Sequence, residues 1–360
     1  MNFYALDLET QSLVPDQDHY ALEPWRILEG SMRILIVCVY DGISNCGTYE
    51  GIPIIRDTVT VDHDGCYIWT WNGIFDIACL IASGVDCSKI KWLDAMSAAK
   101  RVFRSQHTDH PNGSRPVSWS LGNIAKNLLT DWEHYNEFMD VKEEFRRDLT
   151  YLERRCNLDT EATLLLGQIL WDKMDERQRT AFLIESESLY PAALAWMIGT
   201  PYNAERAAQL KLTIEQERYA IISNLTQIFQ TTASSGKIAV TSPLFYDPNA
   251  WVPVLGSNDK LGTLLYDVWG IPFDEDLRNP KAKTDKRPVS KDVLTFLIER
   301  YGDQFPQLAL IKKYRELKSR EDKFLKGPVK TIEYLGSNIM RHQCRINSTY
   351  TGRMTYVSKG

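Results

Sequence analysis

No apolar run in this 360-residue chain approaches the roughly 20 residues that a bilayer-spanning helix requires. The N-terminus also lacks the basic, then apolar, then small-residue order of a secretory signal. No membrane partner is therefore expected. Cysteine is odd in number, seven in all (Cys38, Cys46, Cys66, Cys79, Cys87, Cys156, Cys344), and no C-x-x-C pair occurs. That usage argues against a disulfide framework or a zinc site and for a reducing, cytoplasmic compartment. A basic excess is missing too, since the formal net charge is −5. Internal repeats and low-complexity tracts are absent.

The length exceeds one typical hydrophobic core, so two or three domains are expected. With 44% hydrophobic and 25% charged residues the composition is that of an ordinary globular protein. The average charge hides an asymmetry. Between Lys281 and Lys330 there are 14 Lys and Arg against 7 Asp and Glu, leaving −12 on the rest of the chain. A basic segment on an acidic body suits a protein that tracks a phosphate backbone while a separate acidic site holds metals; a solvated helical face is the plainer alternative.

The opening stretch carries the first chemical signal. An apolar run, Phe3–Leu8, predicts a buried strand that ends in Asp7 and Glu9. Side chains at i and i+2 of a strand share a face, and like charges that close are costly without a cation. With no neighbouring His or Cys, the pair suits a hard, oxygen-seeking ion such as Mg²⁺ or Mn²⁺. An edge strand with one acid in water is the other reading.

Further strands are predicted at Ile34–Tyr40, Val59–Val61 and Tyr67–Trp71, separated by Asp-Gly turn signals. Asn72 stands where a helix N-cap belongs, ahead of a helix over Ile74–Ser83 that Gly84 stops. A loop covers His107–Pro116, a short helix Leu121–Leu129, and a long helix about Asp140–Trp171. The pattern then turns helical: Ala204–Thr231, a flexible break at Thr231–Gly236, and helices at Val289–Tyr301 and Phe305–Leu325. Strand-like alternation returns over Gly336–Thr355. Asp76 falls in the first turn of its helix, where the dipole favours a carboxylate, and Asp159 lies among residues that would otherwise pack.

These stretches, in this order, resemble a known family. Asp7-Leu8-Glu9-Thr10 after a first strand, Asn72-Gly73-Ile74-Phe75-Asp76 after a later one, and Asp159-Thr160-Glu161-Ala162-Thr163 on a long helix resemble the three exonuclease motifs of the DEDD superfamily, RNase H-like 3′→5′ exonucleases that serve in proofreading. Trp92-Leu93-Asp94-Ala95-Met96 and Trp119-Ser120-Leu121-Gly122-Asn123 also look familial. The resemblance implies that Asp7, Glu9, Asp76 and Asp159 bind two Mg²⁺ or Mn²⁺ ions and hydrolyse the 3′-terminal phosphodiester of DNA, releasing a nucleoside monophosphate. It implies that Leu8 wedges against the terminal base, that Thr10 and Asn72 contact the terminal nucleotide, and that Phe75 packs. The family usually places a Tyr four residues, or a His five residues, before the last Asp to orient the attacking water. Here those places hold Arg155 and Arg154, and Tyr151, one turn earlier on nearly the same face, is either a replacement that reaches the site or a core residue with a hydrogen-bonded hydroxyl.

The remainder resembles the entry to a family A DNA polymerase of phage type. Gly256-Ser257-Asn258-Asp259-Lys260-Leu261 with Trp269-Gly270-Ile271-Pro272, and Tyr314-Arg315-Glu316-Leu317-Lys318-Ser319, resemble its thumb; Thr351-Gly352-Arg353 resembles the motif that opens its palm. By that resemblance Lys312, Lys313, Arg315, Lys318, Arg320 and Lys323 grip the backbone of a primer–template, and Arg353 approaches the minor groove. The expected layout is an α/β RNase H-like exonuclease domain (1–175), a mostly α-helical thumb region (176–335) and a short β segment beginning the palm (336–360). No palm carboxylates or fingers follow the motif, so polymerisation is not expected on this chain, and the missing portion is expected on a longer parent or a second polypeptide. The expected partners are a single-stranded DNA 3′ end, a primer–template and other replication proteins. Two alternatives are an RNA-trimming DEDD exonuclease and a non-catalytic DNA-clamping module.

Overall fold

The computed structural model describes residues 3–43, 45–48, 66–108, 119–141, 148–233, 244, 247–274, 287, 289–330, 336–345 and 355–357. The chain forms two compact units, Met1–Thr200 with Arg341–Lys359, and Pro201–Met340.

The first unit is built on a five-stranded mixed sheet of β1 (Phe3–Ser12), β2 (Met32–Tyr40), β3 (Asn45–Thr48), β4 (Tyr67–Thr70) and β5 (Lys91–Asp94). The order is β3-β2-β1-β4-β5. β1 pairs antiparallel with β2 and parallel with β4, and β4 pairs parallel with β5. The central strand therefore carries the acidic pair. Its partners across the sheet are Asp7 opposite Cys38 and Glu9 opposite Ile36, and the register slips between Glu9 and Thr10. A bulge of this kind bends a strand and re-aims the side chains beside it.

Helices α1 (Ile74–Ala82), α2 (Ala95–Thr108), α3 (Leu121–Leu128), α4 (Tyr135–Met139) and α5 (Leu149–Lys173) follow. α5 starts where the side chain of Asp148 accepts a hydrogen bond from the Tyr151 N–H at 2.9 Å, an N-cap that satisfies one orphan donor. It packs on β1 and β2 through Cys156, Leu158, Ala162, Leu164, Leu166 and Leu170, all buried. Gly167 lies against the ring of Trp69: a Cβ there would stand 2.5 Å from Trp69 Cδ2. Gly167→Ala is accordingly expected to lower stability by about 1–3 kcal/mol, read from urea denaturation, because the helix must lift off β4.

The first unit runs beyond the expected limit at residue 175. α6 (Glu176–Ser186) begins with a capping box between Asp175 and Gln178, and its buried Phe182 stacks on Trp69 with ring centroids 5.6 Å apart. α7 (Leu189–Ile198) buries Leu189, Ala193 and Trp196, and Phe75 packs against Trp196 at 6.4 Å. These apolar faces keep both helices with the sheet, so the helical unit starts at Pro201 rather than 176. Residues 341–359 also group with the first unit, where β6 (Gln343–Arg345) and β7 (Thr355–Val357) pair antiparallel.

The second unit holds α8 (Ala204–Ala233), α9 (Trp251–Gly256), α10 (Asn258–Gly262), α11 (Lys291–Tyr301) and α12 (Gln307–Glu321). Its core joins Ile221, Leu225, Phe229, Trp251, Leu265, Leu297, Ile311 and Tyr314. Arg218 ties α8 to α12, donating to the Tyr314 hydroxyl at 2.8 Å and pairing with Glu321, whose other oxygen pairs with Lys326 at 2.9 Å. The expected strand at Val59–Val61 lies outside the described residues, as does Arg353; of the expected break at Thr231–Gly236, the first three residues instead continue α8 to Ala233 and the rest lie outside the described residues. Among the described residues no helix is long and apolar enough to cross a membrane.

Candidate active site

β1 and α5 bring three acids together. Asp7, Glu9 and Asp159 each place a carboxylate oxygen within 4.8 Å of the others. Asp76 is not part of that trio. It sits buried in the first turn of α1, and its charge still raises the pKa of Asp7.

The electrostatics are those of a crowded, desolvated cluster. Burial first, then the charges of Asp159, Asp76 and Glu9, push the Asp7 carboxyl well above its usual range. Burial raises Asp76 as well, with Asp94 and Glu9 adding to it. Asp159 is pushed up to about 6 by burial, against the opposing pull of Arg155. Asp159 Oδ1 is buried, and among the described residues it meets Arg155 Nη2 as an ion pair at 2.6 Å without a well-formed hydrogen bond. Convergent carboxylates without a His or Cys in the group fit hard divalent cations.

A cleft of about 1190 Å³ opens at Glu9 and Asp159 and is lined further by Thr10, Leu13, Arg33, Tyr151 and Arg155. Tyr151 thus reaches the same cleft as the acids, half-buried at its wall. Leu8 does not. It is 6% exposed and faces the core, because strand alternation sends it away from its acidic neighbours. Leu13, Val141 and Leu149, each about half exposed and lining the cleft, are apolar side chains available to a ligand there. The Thr10 hydroxyl donates to the Ala21 carbonyl at 2.7 Å, which commits its proton to the fold.

Asn72 is not the helix N-cap; that position is Gly73, without a side-chain cap bond. Asn72 instead adopts φ 64°, and its N–H donates to Asp94 Oδ1 at 2.8 Å. The same oxygen accepts from the Met96 N–H at 3.2 Å. Asp94 therefore fixes the left-handed turn that leads into α1 and so positions Asp76, a role that the Trp92–Met96 stretch did not disclose on its own.

Arg154 and Arg155 stand where the resemblance expects a water-orienting Tyr or His. Arg154 turns away and pairs with Glu137 through both carboxylate oxygens, at 2.7 and 2.5 Å. Arg155 turns inward. Its Nε donates to Asp159 Oδ2 at 3.1 Å, and Nη2 lies 2.6 Å from Oδ1. Nη1 donates to the Phe138 carbonyl, and the guanidinium lies 4.6 Å over the Phe138 ring. The i,i+4 spacing of the pair is a helical contact rule, which is the signal that could have found it.

In the second unit the basic residues of α12 divide in two. Arg315 is committed to the fold, donating to the Val289 carbonyl at 2.6 Å and to Asn258 Oδ1 at 2.5 Å. Lys313 pairs with Glu217 at 3.3 Å. Lys312 and Lys318 are half-buried, and Arg320 and Lys323 are exposed. The Nζ of Lys318 lies so close to Gly256 that a Cβ there would be 2.9 Å from it.

No protein-family model and no curated protein matches the sequence. Among solved structures the chain is similar to the POL domain of Pol1 from M. smegmatis, in complex with a DNA primer-template and dNTP, at 16% identity and a TM-score of 0.58. The match covers 90% of this chain and 48% of that one. The chain thus spans about half the length of that structure, and what the two share at this identity is a fold.

Proposed function

We propose that the chain is a divalent-metal-dependent 3′→5′ DNA exonuclease joined to the thumb of a family A DNA polymerase. The observation that carries this reading is the meeting of Asp7, Glu9 and Asp159, the last two of which line a large cleft. The mixed sheet, with the acidic strand at its centre, supports an RNase H-like assignment for the first unit. The likeness in fold to a polymerase domain supports the second half of the reading.

In this reading Asp7, Glu9 and Asp159, with Asp76 beside them, hold Mg²⁺ or Mn²⁺. Bound ions supply a water of lowered pKa and neutralise charge on the leaving 3′ oxygen. The chain's own groups do the rest. Leu13 and Arg33 flank the strand end in the cleft, and Tyr151 stands at its wall within the same space as Glu9. Neither Arg154 nor Arg155 is free to aim a water, so that task falls to Tyr151 or to Glu9.

Incubating the chain with a 3′-labelled single strand in Mg²⁺, Mn²⁺ or EDTA tests the proposal. Metal-dependent release of nucleoside monophosphate is expected, faster from DNA than from RNA; no release in either metal sinks it. The Arg155–Asp159 ion pair favours a second reading, a DNA-clamping module with a silent nuclease, which predicts binding without release.

For the thumb, Lys312→Ala, Lys318→Ala and Arg320→Ala are expected to weaken binding to duplex DNA about equally across sequences. Each phosphate contact removed lowers the salt slope by about one, as measured by fluorescence anisotropy. Arg315→Ala behaves differently: with two hydrogen bonds lost inside the fold, stability falls by about 1–3 kcal/mol.

A further inference from the structure

We propose that Arg155 is a resident cation of the carboxylate centre: by neutralising Asp159 from within the chain, it leaves the centre calling for one divalent ion rather than two. This rests on the exonuclease reading above and concerns the metal complement of the same site.

Three observations fix the guanidinium in that role. It meets both oxygens of Asp159, at 3.1 and 2.6 Å. It is held in place from behind by the Phe138 carbonyl and over the Phe138 ring, so it cannot swing away without losing both. And it is largely withdrawn from solvent, with 18% of its side chain exposed, as for Asp159, where charge interactions are screened least. The planar, always-charged guanidinium suits this use, since it matches a carboxylate with two donors and does not deprotonate. The trio of Asp7, Glu9 and Asp159 carries three negative charges when ionised, which one divalent ion and one arginine balance, whereas two divalent ions beside Arg155 would exceed them. A second ion near Asp159 would also have to share that carboxylate with a cation that is already seated.

The test is a Mn²⁺ titration of the whole chain without DNA, with free Mn²⁺ followed by electron paramagnetic resonance. The wild type is expected to take up one ion well before any second. Arg155→Gln and Arg155→Tyr, which remove the charge with side chains of different shape, are each expected to tighten the second dissociation constant by at least about tenfold. Arg155→Lys keeps a cation and is expected to retain one-ion behaviour. Far-UV circular dichroism confirms that each variant is folded, and the wild-type stoichiometry alone decides if neither neutral variant folds. Two ions of comparable affinity on the wild type, or unchanged isotherms in folded neutral variants, overturn the proposal. If the wild type binds two ions and also releases nucleotides, only this inference falls. If neither it nor the variants bind any ion, the exonuclease reading falls with it.

Discussion

Asp7→Asn is expected to reduce metal-dependent release of nucleotides by roughly 10²–10³-fold or more, while raising the melting temperature of the metal-free chain. The two effects have one cause. Asp7 is central to β1, and burial together with the charges of Asp159, Asp76 and Glu9 pushes its carboxyl well above the usual range. Ionising it inside the fold costs free energy, and an amide carries none of that cost. An active centre often stores instability of this kind, so a variant that loses function can gain stability. Activity assays paired with thermal melts in EDTA check both halves. A variant that lost activity and also melted lower would place Asp7 in packing rather than at the centre. An unchanged rate would remove it from the centre altogether.

The architecture of the site was legible where one rule acted alone. Alternation along a strand predicted that Asp7 and Glu9 share a face, and the structure places both in one trio with Asp159. The same rule, carried one residue further, points Leu8 into the core, which the resemblance obscured by assigning it a wedge. Other features depend on partners distant in sequence. Asn72 reads as an N-cap from its residue type, but Asp94, 22 positions away, accepts its backbone N–H and holds it in the left-handed region, where Asn is tolerated better than most residues. The end of the first unit, expected at residue 175, falls at Thr200 for a similar reason. Nothing local to residue 175 shows that Phe182 will stack on Trp69 across the sheet. By residue type Arg315 reads as one of several phosphate contacts, whereas in the fold Val289 and Asn258 claim its guanidinium. Arg155 is the instructive case. Its departure from the expected tyrosine was visible at once, and the i,i+4 spacing to Asp159 was visible too, yet only the packing of Phe138 against the guanidinium shows that the pair is fixed.

Removal of divalent ions is expected to make stability fall as pH rises from about 4 to about 7, and Mg²⁺ or Mn²⁺ should reverse that fall. The sign follows from Asp159. Its carboxyl is pushed up to about 6 in the fold, against about 3.9 in an unfolded chain. Between those values the folded state binds the proton more tightly, so its contribution to stability is complete at the acid end and lost as pH passes through the folded value. Asp7 and Asp76, raised in the same direction, extend the window upward. Glu137 works the other way: the hydrogen bonds from Arg154 hold it below its usual value, so its contribution is lost as pH falls, which sets an acid limit to the trend. Divalent ions require the ionised carboxylates, so the difference in melting temperature between Mn²⁺ and EDTA should be larger at pH 8 than at pH 5. Asp159→Asn should shrink that difference and flatten the metal-free decline. An ion effect independent of pH, or one that survives Asp159→Asn unchanged, would mean that the ion is held elsewhere on the molecule.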